Sequence, residues 1–202
     1  MDSDQVPLRV AGPGDVPAVV ATLTEAFFAD PLWAWAFADP QRRHEQYTRW
    51  WRLYVDGAMR YGTVFLTPGA GSVAVWIPPG GAELAPAQAD ALPAVIAELA
   101  GEYADRVGAA CDALDAHHPD SADFWYLTLL ATRCDQRGTG LGMALLRRCL
   151  ADIDILGRPA YLESSNPANN ARYGRCGFQA RATFTIGAAG PEVTTMWRPA
   201  GG

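Results

Sequence analysis

The hexapeptide Arg137-Gly138-Thr139-Gly140-Leu141-Gly142 joins a predicted strand to a predicted helix. Residues 124–132 before it are rich in aromatic, β-branched and apolar side chains, as strands are. Residues 141–156 after it repeat apolar side chains at helical spacing and end at a glycine. Glycines let a ligand approach the backbone closely, and a helix N-terminus offers N–H donors and partial positive charge. The hexapeptide therefore predicts a cradle for a phosphate or pyrophosphate, with Arg137 adding a charge-assisted contact.

Two well-known phosphate-binding loops do not fit this stretch. The dinucleotide fingerprint requires G-x-G-x-x-G, whereas the glycines here lie at 138, 140 and 142. The P-loop (Walker A motif) of nucleoside triphosphatases requires a lysine, and all 16 basic residues of this chain are arginine. The missing lysine also excludes Schiff-base enzymes. Taken alone, the stretch is also compatible with a glycine-rich turn that binds nothing.

Composition limits the class of protein. A chain of 202 residues that is 50% hydrophobic fits one domain over residues 1–202 with a sizeable core. A net charge of −6 argues against nucleic-acid binding and suits a cationic substrate weakly. The four cysteines have no metal-binding spacing, so we expect reduced thiols, no metal site and a cytoplasmic protein: Cys111, Cys134, Cys149 and Cys176. The polar segment 1–9 does not resemble a signal peptide, and no apolar run is long enough to span a membrane.

The rest of the chain predicts an α/β (α+β) fold. Asp15 and Pro17 mark the start of a first helix, and Asp30-Pro31 marks its end. The pattern places a mixed, mostly antiparallel sheet at the centre with helices on both faces. The predicted strands are 7–10, 63–67, 72–77, 124–132, 160–163, 178–186 and 192–198; the predicted helices are 15–30, 41–60, two within 86–117 broken near residue 101 or 108, 141–156 and 167–175.

Two motifs resemble those of the GNAT superfamily of N-acetyltransferases. Arg137-x-x-Gly140-x-Gly142 resembles the family's Q/R-x-x-G-x-G/A motif. The block from Asn166 to Phe178 resembles its N-x-x-N-x-x-x-Y-x-x-x-G-F block, and both motifs occur in the family's order and spacing. The segments 117–127 and 162–166 are also similar to the group that contains puromycin N-acetyltransferase. The chain departs from the family pattern at residues 133–135, where a proline often follows the strand, and at residue 174, where an acidic residue is usual.

The resemblance implies direct transfer of an acetyl group from acetyl-CoA to an amine. It implies that two parallel strands splay and admit coenzyme A between them, the second strand being 160–163. It places Tyr173 as the general acid, with an ordinary packed tyrosine as the alternative. The residues implied to hold the cofactor are Leu130, Ala131, Thr132, Arg137, Gly138, Thr139, Gly140, Leu141, Gly142, Asn166 and Asn169. The two asparagines are equally compatible with capping a short helix.

The general base and the acceptor are less defined. Glu163 at a strand end is the candidate base, acting directly or through water, and it is equally compatible with an ordinary polar strand-end residue; His117 and His118 are alternative bases. We expect a small hydrophobic or antibiotic-like amine, bound by aromatic side chains of the N-terminal half and by Asp30, Asp39 or Glu45. The aromatic side chains that could line this acceptor pocket are Trp33, Trp35, Phe37, Trp50, Trp51 and Tyr54, together with Trp76 and Trp125. The alternatives are a protein N-terminal or lysine acetyltransferase, and an acyl-CoA sensor without turnover. The oligomeric state stays open, a homodimer included.

Overall fold

The computed structural model describes residues 7–187 and 189–201. Most of the polar segment 1–9, on which the signal-peptide argument rests, lies outside the described residues. The helices are α1 (Val16–Phe27), α2 (Pro31–Ala36), α3 (Arg43–Met59), α4 (Pro86–Ala100), α5 (Ala104–His117), α6 (Leu141–Ile155) and α7 (Asn170–Gly174). The strands are β1 (Arg9–Val10), β2 (Val64–Leu66), β3 (Ser72–Ile77), β4 (Trp125–Thr132), β5 (Ala160–Ser164), β6 (Gln179–Thr185) and β7 (Glu192–Arg198).

The strands form one seven-stranded sheet in the order β1-β2-β3-β4-β5-β7-β6. Neighbouring strands are antiparallel except for β4 and β5, which are parallel. This is the mixed, mostly antiparallel sheet that the sequence predicts. Its one parallel pair lies in the middle of the sheet and joins the N-terminal and C-terminal halves of the chain.

Helices cover both faces of the sheet, as predicted. On one face, residues of α1 to α5 pack against β3 and β4 around Trp50, Trp51 and Leu129. On the other face, α6 packs against Trp76 and Leu127. Because apolar area removed from water contributes about 25 cal/mol per Å², these two layers supply the driving force that keeps the sheet in place. Within residues 7–187 and 189–201, none of the helices combines the length and the apolar character of a membrane span.

The first half contains a helix that the sequence analysis missed. Asp30-Pro31 was interpreted as the end of a helix, and α1 does end just before it. The Asp30 side chain, however, accepts hydrogen bonds from the amides of Leu32 and Trp33 and thereby caps α2. Proline occupies the first helical position, where its missing N–H has no cost. The two predicted helices of 86–117 are confirmed, with the break at Gly101, whose φ is +56°.

The parallel pair is short, and this creates an opening. Within the described residues, β4 and β5 pair at Trp125↔Ala160 and Tyr126↔Tyr161. Both strands continue beyond these positions, β4 to Thr132 and β5 to Ser164. The splayed pair of strands that the family resemblance implied is therefore present.

Candidate active site

The gap between β4 and β5 exposes strand backbone. A β-strand alternates its hydrogen-bonding groups between its two neighbours. Beyond Tyr126, the groups of β4 that point away from β3 therefore face the gap. Leu130, Ala131 and Thr132 line the cavity that fills this gap, and their contact with the cofactor stays a prediction.

β4 also carries an irregularity beside the gap. Val75 pairs with Leu129 and Trp76 pairs with Leu127, so Thr128 is an extra residue without a partner on β3. The insertion sends Leu127 into one core layer and Leu129 into the other, although they are two residues apart. Such a bulge re-aims a side chain, and the Thr128 hydroxyl donates a hydrogen bond to Glu83.

The hexapeptide 137–142 forms the turn and first residues of α6. Gly140 precedes the helix with a φ of +84°, a conformation that costs other residues energy. The first helical hydrogen bond runs from the amide of Ala144 to Gly140, so the preceding amides point out of the helix start. A Cβ on Gly142 would lie 2.4 Å from the Thr132 hydroxyl, so α6 packs directly on β4 there. Gly138, Gly140, Leu141 and Gly142 line the cavity.

The remaining cofactor candidates have partners within the protein. Arg137 lines the cavity and donates to the carbonyl of Ala26 at the end of α1, at 2.9 Å. The Thr139 hydroxyl donates to the carbonyl of Gln136 at 2.7 Å and so closes the turn. Both side chains stabilise the loop. Arg137 also borders the opening into which the helix N-terminus points.

Both asparagines have structural roles as well as cavity positions. The Asn166 side chain accepts from the amide of Ala168 at 3.1 Å and caps the turn that precedes α7. The Asn169 side chain accepts from Arg172 at 2.8 Å. Asn166 therefore does act as a helix cap, which was the alternative to cofactor contact. Since Asn166, Asn169 and Arg172 all line the cavity, cofactor contact remains a prediction.

Tyr173 lies half-buried on α7 and faces the cavity. Burial, followed by the charge of Asp30, raises the pKa of Tyr173 to about 12. Asp30 is itself buried, and burial raises its pKa as well. Its second oxygen accepts from Ser165 at 2.8 Å, which ties the start of α2 to the end of β5. Tyr173 therefore stays protonated at neutral pH in a fixed part of the site.

The opposite end of the cavity is acidic. Glu163 on β5 lies 3.2 Å from the ring nitrogen Nδ1 of His118, and its side chain is 4% exposed. Burial lowers the pKa of His118, but the hydrogen bond and charge of Glu163 outweigh this and raise it overall. Glu83 lies nearby on the loop after β3, and burial raises its pKa to about 7. Asp115 of α5 completes this end, also with a pKa raised by burial.

A cavity of about 1010 Å³ joins the two ends of the site. Its basic lining residues lie beside the turn before α6 and on or next to α7: Arg137, Arg172 and Arg175. Carboxylates line its far end: Glu83, Asp115 and Glu163. A second cavity, of about 330 Å³, shares Glu83, Asp115 and His118 with the first. The site can therefore hold an anion at one end and a cation at the other, with Tyr173 on its wall.

The aromatic side chains divide between cavity and core. Trp33, Trp51 and Tyr54 line the cavity, as the pocket hypothesis expects. Phe37, Trp50 and Trp76 are completely buried in the core, so the pocket role proposed for them is wrong. Asp30 lines the cavity, but its carboxylate is used to cap α2.

Four residues of the site carry no signal in the sequence: Glu83, Thr128, Ser165 and Asp115. They come from a loop, a strand, a strand end and a helix, and no motif connects them. His117, an alternative base, is exposed; it stacks on Phe184 and contacts the carbonyl of Ala113. His118, the other alternative, lies at the acidic end of the cavity.

No protein-family model matches the sequence. Solved structures of similar fold align along nearly the whole chain. A histone acetyltransferase and related acetyltransferase from Corynebacterium glutamicum superposes with a TM-score of 0.71 at 22% identity, covering 98% of this chain and 97% of that one. The polyamine N-acetyltransferase of Drosophila melanogaster superposes with a TM-score of 0.67 at 16% identity, covering 96% and 100%. A GCN5-related N-acetyltransferase from Rhodopseudomonas palustris gives 0.55 at 13% identity, covering 96% and 95%. Together with the splayed strands and the turn before α6, these superpositions show that the chain has the fold of the GNAT acetyltransferases.

Proposed function

We propose that this chain is an acetyl-CoA-dependent N-acetyltransferase that acts on a small-molecule amine. The observation that carries the proposal is the charge arrangement of the large cavity. Its lining includes a helix N-terminus and three arginines, from the turn before α6 and from α7 and the residue after it, and three carboxylates that cluster around His118. A phosphate-bearing donor and a cationic acceptor can thus share one space, separated by the open edge of β4.

The residues at the basic end fit coenzyme A. There is open space within 4 Å of the Cβ direction of both Gly138 and Gly140, so a ligand can approach this backbone. The amides at the start of α6 suit the pyrophosphate, with Arg137 beside them. The open edge of β4 at residues 130–132 suits the extended pantetheine arm of coenzyme A, which would add to the sheet like a strand. When bound, acetyl-CoA would supply the acetyl group as an activated thioester.

Tyr173 is the proposed general acid. Its phenol holds a proton at neutral pH even at the ordinary pKa of tyrosine, about 10, and burial raises that pKa further, to about 12. The leaving group is a thiolate, and the corresponding thiol has a pKa of ~8.5 by comparison with cysteine. The thiolate leaves more readily when an acid supplies a proton in the transition state. Tyr173 therefore holds a transferable proton on the cavity wall.

The acidic end is the proposed amine site. An alkylammonium ion must lose a proton before its nitrogen can attack a carbonyl carbon, and a carboxylate can take that proton. Glu163, paired with His118, and Glu83, paired with Thr128, are both within this end. The aromatic wall of Trp33, Trp51 and Tyr54 suits an apolar body attached to the amine. Proteins of similar fold that are named for polyamine, agmatine and arylalkylamine acetylation support an amine acceptor.

The experiment is a thiol-release assay with acetyl-CoA and a panel of acceptors. The panel contains a polyamine, agmatine, an arylalkylamine, an aminonucleoside antibiotic, and peptides with a free N-terminus or a lysine. We expect thiol release and an N-acetylated product, identified by mass spectrometry, with at least one small amine. Turnover confined to peptides would instead favour a protein acetyltransferase. Coenzyme A binding without thiol release across the panel would favour a sensor, and absence of binding would refute the cofactor site.

A further inference from the structure

Glu83 lies on a loop that α3 and the two residues after it hold in place. The guanidinium of Arg60 donates to the carbonyl of Ala82 at 2.8 Å, and the amide of Ala82 donates to the Tyr61 hydroxyl at 3.0 Å. Gly57 of α3 packs so closely that a Cβ there would lie 1.8 Å from the carbonyl oxygen of Glu83. A short loop with this many contacts to a helix positions its side chain well.

The carboxyl of Glu83 is directed towards β4, at the edge of the gap between β4 and β5. It accepts a hydrogen bond from Thr128, the bulged residue of β4 at the edge of the open gap. A carboxylate has two oxygens and about four lone-pair sites. The bond from Thr128 therefore leaves acceptor capacity on Glu83 for an ammonium group in the cavity that both residues line.

Glu163 is differently placed. Its carboxylate contacts His118, a cation when protonated, and its side chain is 4% exposed. The His118 ring in turn packs against Phe124, Tyr126 and Tyr161, with ring centroids 4.8 to 5.5 Å apart. One oxygen of Glu163 is therefore already bonded to His118, whereas Glu83 is bonded to the neutral hydroxyl of Thr128. This arrangement suits Glu163 as a group that positions His118.

We propose that Glu83, rather than Glu163, takes the proton from the acceptor ammonium group. The inference rests on the proposed function. In this step an N–H bond of the ammonium breaks, an O–H bond forms on the Glu83 carboxylate, and the freed electron pair stays on nitrogen for attack. Thr128 and the loop contacts hold the carboxylate in place, and Glu163 with His118 lies close enough for their charges to act on it.

The charge environment gives this base a measurable signature. Several titratable groups face or surround Glu83: Tyr54, Cys111, Asp115, His118, Tyr126 and Glu163. Burial, with the charges of Glu163 and Asp115 adding to it, raises the pKa of Glu83 to about 7 although Thr128 and His118 oppose this. The base is active when ionised, so kcat/KM should rise with pH through about 7 and then level off.

The test compares Glu83→Gln with Glu163→Gln. Glu98→Gln serves as the control, because Glu98 is exposed, pairs with Arg49 and is not a lining residue of the cavity. Loss of a general base costs on the order of 10²–10⁴-fold in rate. We expect that loss in kcat for Glu83→Gln, with coenzyme A affinity and Tm near wild type. The rise of kcat/KM near pH 7 should disappear in Glu83→Gln and persist in Glu163→Gln. Glu83→Asp, which keeps the carboxyl group, should keep the rise at a lower kcat.

A fluorinated acceptor separates proton transfer from a structural effect. Fluorination lowers the pKa of the amine, so the acceptor is already neutral at pH 7 and needs no base before attack. The defect of Glu83→Gln should then shrink at least tenfold relative to the parent amine. Equal defects with both amines, or a rise near pH 7 that survives in Glu83→Gln, would overturn the proposal while the wild-type turnover still supports the acetyltransferase. A wild type that releases no thiol would instead refute the proposed function, and the role of Glu83 with it.

Discussion

Gly57→Ala tests whether the contact between α3 and the 81–84 loop controls activity. The added methyl would lie 1.8 Å from the carbonyl oxygen of Glu83, whereas ordinary contacts begin at 3.4 Å. The obstructing atoms are backbone, so no side-chain rotation can relieve the overlap. The loop must therefore retreat by on the order of 1 Å or more, and Glu83 moves with it.

The expected magnitudes separate stability from catalysis. Overpacking costs about 1–3 kcal/mol, and alanine offsets about 1 kcal/mol because it forms helices better than glycine. The net loss is thus at most about 2 kcal/mol, which lowers Tm by less than about 8 °C in a chain of this length. Misplacing a catalytic group by 1 Å costs roughly 100-fold in rate. We therefore expect kcat/KM to fall about 100-fold while the protein stays folded.

Gly108→Ala is the matched control. Gly108 also lies within a helix, α5, and no atom lies within 4 Å of its Cβ direction. We expect this variant to keep its activity and to gain about 0.5–1 kcal/mol in stability. Steady-state kinetics and thermal denaturation of both variants, with coenzyme A titrations, measure each quantity. If Gly57→Ala keeps kcat/KM within threefold of Gly108→Ala, the loop contact does not position a group that matters for catalysis.

Four further variants test the general acid, the cofactor cradle and the cap of α2. Tyr173→Phe should lower kcat by on the order of 100-fold and leave coenzyme A affinity unchanged; equal turnover would remove Tyr173 from the mechanism. Gly140→Ala forces a φ of +84° on alanine, costs about 1–2 kcal/mol and should weaken coenzyme A binding in titration calorimetry; unchanged stability and affinity would contradict the cradle. Asp30→Ala removes the cap of α2 and the bond to Ser165, so Tm should fall by about 2–8 °C. Asp30→Asn keeps the cap acceptor and should lose less.

The sequence predicts well what is encoded locally. The turn before α6 needs a left-handed residue at 140 and no side chain at 142, and both requirements are visible as glycines. The strand and helix limits near this turn agree with the prediction to within one or two residues. By contrast, α2 was missed because Asp30-Pro31 has the same appearance when it ends one helix and when it starts the next.

The acceptor end could not be predicted because it depends on two long-range features. The first is the bulge at Thr128: β4 is a nearly continuous apolar run, so its sequence shows no break in alternation, and only the assignment of Leu127 and Leu129 to opposite core layers reveals an inserted residue. The second is the contact of Gly57 with the 81–84 loop. A glycine within a helix lowers helix stability, but the sequence does not distinguish Gly57, which is packed against the loop, from Gly108, which faces open space. The partner is determined by how α3 packs on the sheet, and that packing brings Glu83 to Thr128 across 45 residues of chain.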